Sequence, residues 1–383
     1  MKNEKLLTAL KILGVIACLY LFLIGIGGMG AAFKGEFKET AAKLLEATRS
    51  PIVGLFIGIL ATTIVQSSST TTSLIVGLVA AGAVDVGGAI FMVMGANIGT
   101  TVTAKIVSLG HITRKAEFRR AFAASSVHDT FNLITVAILL PLEYSFNILE
   151  RMARYMGNAF LDVTGVTKPE NYVKKATKPV IEWLGDALNS ELWLLIVSVA
   201  ITFFMLFAIV KLLQSLVLKK LEAFFDAYLF RNASIAFAVG LCLTVMVQSS
   251  SITTSLIVPL AGAGVLRLQQ IFPFTIGANI GTTVTGLLAA LAAASAADLL
   301  PDGEVDPKVI AGATVAFAHL LFNCAGAMIF LPFAPIRELP VKFAEWLAEL
   351  CLKNRFIPIV FIVVVFYLIP IIVTWNSIAA AFN

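Results

Sequence analysis

Two runs of hydroxyl and amide side chains interrupt an otherwise apolar sequence: Gln66, Ser67, Ser68, Ser69, Thr70, Thr71, Thr72 and Ser73, and then Gln248, Ser249, Ser250, Ser251, Thr253, Thr254 and Ser255. At membrane depth such groups are costly unless they face protein or water. If the chain breaks at the serines, a new helix starts there. Its first N–H groups, its serine hydroxyls and its positive dipole end would then suit an anion. Serine and threonine can also simply tie helices together. A whole cluster repeated with its surroundings favours a binding site instead.

A second element follows each run. Gly95-Ala-Asn97-Ile-Gly-Thr100-Thr101 recurs as Gly277-Ala-Asn279-Ile-Gly-Thr282-Thr283. Glycines beside an asparagine within an apolar segment permit an unwound backbone with free carbonyls. Together with the amide and hydroxyl oxygens this is a hard-oxygen setting for a dehydrated Na⁺; the alternative is a close-packed glycine seam without an ion. No lysine or arginine adjoins either serine cluster in sequence, so an anion held there needs co-bound cations and helix dipoles to offset its charge in a low-dielectric site. His128 and Asn132 share a helix face one turn apart, and His319 and Asn323 repeat the pair. They are expected to brace the helices rather than bind substrate. Asp85 reads as a helix-end acid, and Asp129 has no acidic counterpart at Leu320.

These residues need elements that bring them together, and the repeat supplies the plan. Residues 58–104 and 240–286 align without gaps at an offset of 182, with 25 of 47 positions identical. The histidine–asparagine pairs recur at an offset of 191, the extra residues falling at the acidic stretch Asp298–Asp306. The chain is an internal duplication. Segments 52–82 and 232–264 each read as two apolar arms about a polar centre. An arm of about 14 residues reaches only about 21 Å, short of the ~30 Å hydrocarbon core, so each is predicted to be a re-entrant hairpin. Full crossings are predicted near 8–30, 87–109, 117–142, 191–217, 268–296, 308–333 and 355–378. Three crossings in the first copy invert the second.

Loop charge agrees with that topology. Arg114, Lys115, Arg119, Arg120, Lys211, Lys219, Lys220, Arg231, Arg337, Lys342, Lys353 and Arg355 fall on the N-terminal side, and Asp298, Asp302, Glu304 and Asp306 fall opposite. The mixed stretch 143–190 suits interfacial helices and a loop. The expected organisation is a first inverted repeat over 1–157, an extracytoplasmic linker over 158–190, a second inverted repeat over 191–350 and a C-terminal crossing over 351–383. The fold class is all-α and polytopic, with two inverted-topology repeats that each carry a re-entrant hairpin and a broken transmembrane helix.

Composition sets the class. The 383 residues are 59% hydrophobic and only 13% charged, with a mean hydropathy of +0.93. The net charge of +5 reflects cytoplasmic loops, and no basic stretch carries a nucleic-acid motif. The four cysteines are scattered, without metal-ligand or disulfide spacing. The run after Met1–Lys5 is long for a signal peptide and reads as an uncleaved first helix.

The paired Q-S-S-S clusters and the G-x-N-I-G-T elements resemble the type II sodium–phosphate cotransporter family, across both repeats. The resemblance implies Na⁺-driven phosphate symport in a cell membrane, a bacterial inner membrane by its short form, with a cytoplasmic N-terminus. It implies phosphate at Gln66, Ser67, Ser68, Ser69, Gln248, Ser249, Ser250 and Ser251. Sodium would take Gln66, Gln248, Asn97, Asn279, Thr71, Thr72, Thr253, Thr254, Thr100 and Thr282. The partners so implied are phosphate, sodium and the bilayer, with a homodimer left open. Competing readings are a carrier or exporter of another small oxyanion, a passive channel, and an intramembrane hydrolase built from a serine with His128 and Asp129.

Overall fold

A computed structural model describes residues 2–32, 48, 50–164, 172–217, 232–296 and 306–382. The described residues form helices, turns and loops without a strand. The first helix, α1, spans Lys2–Ala32. Pro51–Val65 (α2) and Ser68–Ala81 (α3) make one hairpin, and Val86–Gly99 (α4) and Val102–Leu109 (α5) follow. Lys115–Phe146 is α6, Ile148–Thr164 α7, Tyr172–Leu188 α8 and Glu191–Val217 α9. Ala233–Val247 (α10) and Ser250–Gly262 (α11) form the second hairpin. Leu268–Ala296 (α12), Pro307–Phe330 (α13) and Ala334–Leu352 (α14) lead to the C-terminal helix. That helix runs as Ile357–Val363 (α15), a π-turn Val364–Leu368 and Ile369–Phe382 (α16).

Among the described residues, seven helical stretches are long and apolar enough to cross a membrane: Leu6–Met29, Val86–Leu109, Lys115–Phe146, Glu191–Ile209, Leu268–Ala294, Pro307–Phe330 and Ile357–Trp375. They coincide with the seven crossings read from sequence, and the protein is a multi-pass, all-α membrane protein. The four hairpin arms have 13 to 15 residues. At ~1.5 Å per residue none can cross alone. The amphipathic stretch near 34–50 lies largely outside the described residues, and the one at 218–231 wholly so. Of the acidic stretch Asp298–Asp306, only Asp306 is described, as the N-cap of α13.

Each hairpin bridges the two copies. Its first arm packs within its own copy, α2 on α4 and α10 on α12, while its second arm packs on the other copy, α3 on α12 and α13, and α11 on α5 and α6. Glycine makes the first contact close. A Cβ on Gly58 would lie 1.9 Å from the Met92 carbonyl oxygen, and one on Gly95 1.9 Å from that of Leu55. In the second copy a Cβ on Gly240 would lie 2.1 Å from the Phe274 oxygen, and one on Gly277 2.0 Å from that of Phe237. Only a residue without a side chain allows these backbones to touch.

This corrects the expected role of the glycines. Gly95 and Gly277 remain helical, and no backbone unwinds at either. In the first copy the helix breaks later, at Thr100–Thr101 between α4 and α5. In the second, α12 runs unbroken through Gly277–Thr283. The glycine pattern reflects close packing, which the sequence alone does not separate from unwinding.

The C-terminal helix packs on α2. Pro370 has no N–H to return to the preceding turn, and the π-turn immediately before it absorbs the misfit. The stretch 143–190 forms two amphipathic helices, α7 and α8, apart from residues 165–171, which are not described. Buried Glu143 fixes the start of α7 by accepting from the N–H groups of Leu149 at 2.6 Å and Glu150 at 3.1 Å.

Candidate functional site

The hairpin tips have the same geometry in both copies. Gln66 ends α2 in the left-handed region at φ 58°, and Gln248 ends α10 at φ 57°. Ser67 (φ −155°, ψ 107°) and Ser249 (φ −155°, ψ 105°) then reverse the chain and N-cap the second arms. Their hydroxyls accept from the N–H groups of Thr70 at 3.3 Å and Ile252 at 3.4 Å. The N–H groups of Ser68, Ser69, Ser250 and Ser251 open helices and have no carbonyl one turn back to bond. Each tip is therefore a helix N-terminus with donors to spare.

Some polar atoms at the tips are committed and others are free. Gln66 Oε1 accepts from Thr103 Oγ1 at 2.7 Å, and Gln248 Oε1 from Thr285 Oγ1 at 2.7 Å. Thr71, Thr253 and Thr254 bond back to the carbonyls of Ser67, Ser249 and Ser250. Thr100 and Thr282 do the same to Ala96 and Ala278. By contrast, the buried hydroxyls of Ser69 and Ser251 have no hydrogen-bond partner among the described residues, and neither do those of Thr62, Thr244 and Thr72. Ser69 matches Ser251 and Thr62 matches Thr244 at the repeat offset of 182. Buried hydroxyls are normally satisfied, so orphans matched across the repeat are the exception among the polar groups around the tips.

Behind the tips, each copy holds the asparagine of the other. Asn279 Oδ1 can only accept, so His128 carries its proton on Nε2 and donates across 2.5 Å. Asn279 Nδ2 donates to Asn132 Oδ1 at 2.8 Å, and Asn132 Nδ2 donates to the Asn97 carbonyl at 2.6 Å. In the reverse sense, His319 Nε2 and Asn323 Nδ2 donate to Asn97 Oδ1 over the longer distances of 3.4 and 3.2 Å. All six side chains are at most 3% exposed. The structure therefore places His128, Asn132, His319 and Asn323 as a brace on Asn97 and Asn279.

Asp85 N-caps α4 through the Gly88 N–H at 2.7 Å. Asp129 faces Lys105, the one in an ion pair with the other, and both are almost completely buried. With His128 directed to Asn279 and Asp129 to Lys105, the serine–histidine–aspartate alternative has no relay to work through. Sequence reasoning overlooked Lys105, whose signal was a single cation inside the apolar segment Val102–Leu109. It also overlooked Thr103 and Thr285, which fall at the end of the repeated nonapeptide. A cleft of about 260 Å³ lies elsewhere, at the far end of α11, lined by Arg119, Arg120, Arg267 and Glu345 among others. Two of its cations are engaged, Arg120 with the Gly262 carbonyl at 2.6 Å and Arg119 with Glu349 at 2.7 Å.

The model of the family described as Na+/Pi-cotransporter matches residues 21–166 and 188–329. The chain is 30% identical over 445 residues to "Sodium-dependent phosphate transport protein 2A" of Rattus norvegicus, covering 97% of this chain and 68% of the relative. It is 28% identical over 464 residues to "Sodium-dependent phosphate transport protein 2B" of Homo sapiens, covering 96% and 65%. No solved structure matches the chain significantly. Two repeated hairpins, their asparagine brace and these alignments agree: the chain belongs to the Na+/Pi-cotransporter family.

Proposed function

We propose that this chain is a sodium-coupled symporter of inorganic phosphate, working by alternating access around a site between the two Q-S-S-S tips near the membrane midplane. The observation that carries this reading is the pair of buried hydroxyls without partners among the described residues, Ser69 and Ser251, each in the first turn of a helix at matched tips. Phosphate offers acceptor oxygens and negative charge. Each tip offers hydroxyl and N–H donors and a positive dipole end. Family membership supports the pairing of that anion with Na⁺.

Sodium supplies the charge that helix ends alone cannot. The oxygens proposed for it are those of Gln66 and Gln248 and the hydroxyls around the tips, chief among them Thr72, which has no hydrogen-bond partner among the described residues. Asn97 and Asn279 act in this scheme by fixing each tip's supporting helix to the opposite copy. Dehydrated anion and cation stabilise one another in a low-dielectric site, and this makes their transport obligatory to each other.

The two copies are read as inverted repeats, with the N-terminus cytoplasmic in keeping with the loop charges. The brace is tight on Asn279 and looser on Asn97. Exchange of the tight and loose arms is the change that rocking one copy against the other would produce. Radiolabelled phosphate uptake by proteoliposomes tests the proposal. Accumulation above equilibrium only under an inward Na⁺ gradient is expected. Equal uptake with Na⁺ absent would refute the coupling.

A further inference from the structure

Among the described residues Lys105 is the largest charged side chain that is buried, at 0% exposure, and it lies within a stretch long and apolar enough to span a membrane. Its Nζ pairs with Asp129 Oδ2 and donates to Ser126 Oγ at 2.8 Å. The same ammonium sits over the rings of Phe122 at 4.6 Å and Phe361 at 5.1 Å. The Thr101 hydroxyl, by contrast, donates to the Ile98 carbonyl at 2.9 Å. A carboxylate, one hydroxyl and two aromatic faces form a chamber for one monovalent cation.

The internal repeat shows what the fold needs at this place. At the repeat offsets, Lys105 corresponds to Leu287 and Asp129 to Leu320. Both leucines pack into one apolar cluster with Phe317, the counterpart of Ser126. The architecture is thus built with an apolar pair in one copy and an ion pair in the other. Buried ion pairs rarely stabilise more than well-packed apolar residues of similar volume, so packing alone does not account for the charges.

We propose that the Lys105 ammonium is a tethered counter-cation: it fills a monovalent-cation site made by Asp129 and Ser126, and thereby withholds that site from transported Na⁺. The inference deepens the symport reading and rests on it for the identity of the excluded ion. Because the lysine cannot leave, this site adds nothing to the ions carried per cycle. Removing the ammonium while keeping Asp129 leaves an uncompensated buried carboxylate, which draws in Na⁺.

Equilibrium binding of ²²Na⁺ to the purified protein tests this without reference to transport. Lys105→Met is expected to bind one more Na⁺ per chain than the wild type. The double variant Lys105→Leu/Asp129→Leu, which copies the second repeat, is expected to bind the wild-type number. No gain in Lys105→Met would overturn the proposal. Loss of a Na⁺ in the double variant would do so as well, since it would make Asp129 a ligand of a transported ion. If Lys105→Met cannot be purified, Lys105→Gln, which also removes the ammonium and keeps Asp129, replaces it in the same comparison. A wild type that binds no Na⁺ would remove the symport reading, and the difference between Lys105→Met and wild type would still decide the tethered cation.

Discussion

Replacing Ser69 or Ser251 by alanine separates binding from folding. Neither hydroxyl has a hydrogen-bond partner among the described residues, so its removal strands no donor or acceptor in the unliganded protein. Stability should change by no more than about 0.5 kcal/mol, as at sites without a specific role. The bound phosphate, however, loses a hydrogen bond to a charged acceptor, which contributes about 1.5–3 kcal/mol. At 1.4 kcal/mol per tenfold, the apparent phosphate affinity should fall about 10- to 150-fold. The assay is phosphate uptake by proteoliposomes at saturating Na⁺, fitted for KM, beside a thermal melt of the same preparation. The two variants should behave alike, because their backbone geometry is the same. A KM within twofold of wild type in both, with intact uptake, would refute the placement of phosphate at the tips. A large fall in Tm would show instead that the hydroxyls support the fold.

Two further perturbations address the frame that holds the tips. Gly95→Ala and Gly277→Ala each place a Cβ about 2 Å from a carbonyl oxygen of the facing arm. The neighbour is backbone and cannot rotate away, so each should cost at least the ~1–3 kcal/mol typical of overpacking and lower Tm by several degrees. Gly185→Ala, whose nearest atom is Leu194 Cδ2 at 3.8 Å, should leave Tm unchanged, and an equal Tm for all three would contradict the seam. A double-mutant cycle on His128→Ala and Asn279→Ala should return a coupling of about 0.5–3 kcal/mol, as found for contacting residues. Additivity within error would remove the brace.

Much of this fold is written in apolar lengths. Arms too short to cross, with a polar centre, could form only hairpins, and the seven longer segments could form only spans. The 182-residue offset showed which residues share a role before any coordinates placed them. What the sequence withheld is which polar atoms are already engaged. Thr100 and Thr282 are as polar as Ser69 on paper, yet their hydroxyls close on carbonyls one turn back. Gln66 and Gln248 share their oxygens with Thr103 and Thr285 from another helix, a contact that depends on how α2 and α10 pack. The glycines misled for a related reason. A small residue within a helix is equally consistent with unwinding and with close approach, and only the facing carbonyl decides. The ion pair of Lys105 and Asp129 joins residues 24 positions apart on different helices, and no periodicity in either helix announces it.

The central claim is that the two tips jointly hold the anion, and a structure solved with saturating Na⁺ and phosphate tests it most directly. Tetrahedral density within hydrogen-bonding reach of both Ser69 and Ser251 is the predicted result. Phosphate seated in the arginine-lined cleft beside Arg119, Arg120 and Arg267, with the tips empty, would contradict the account.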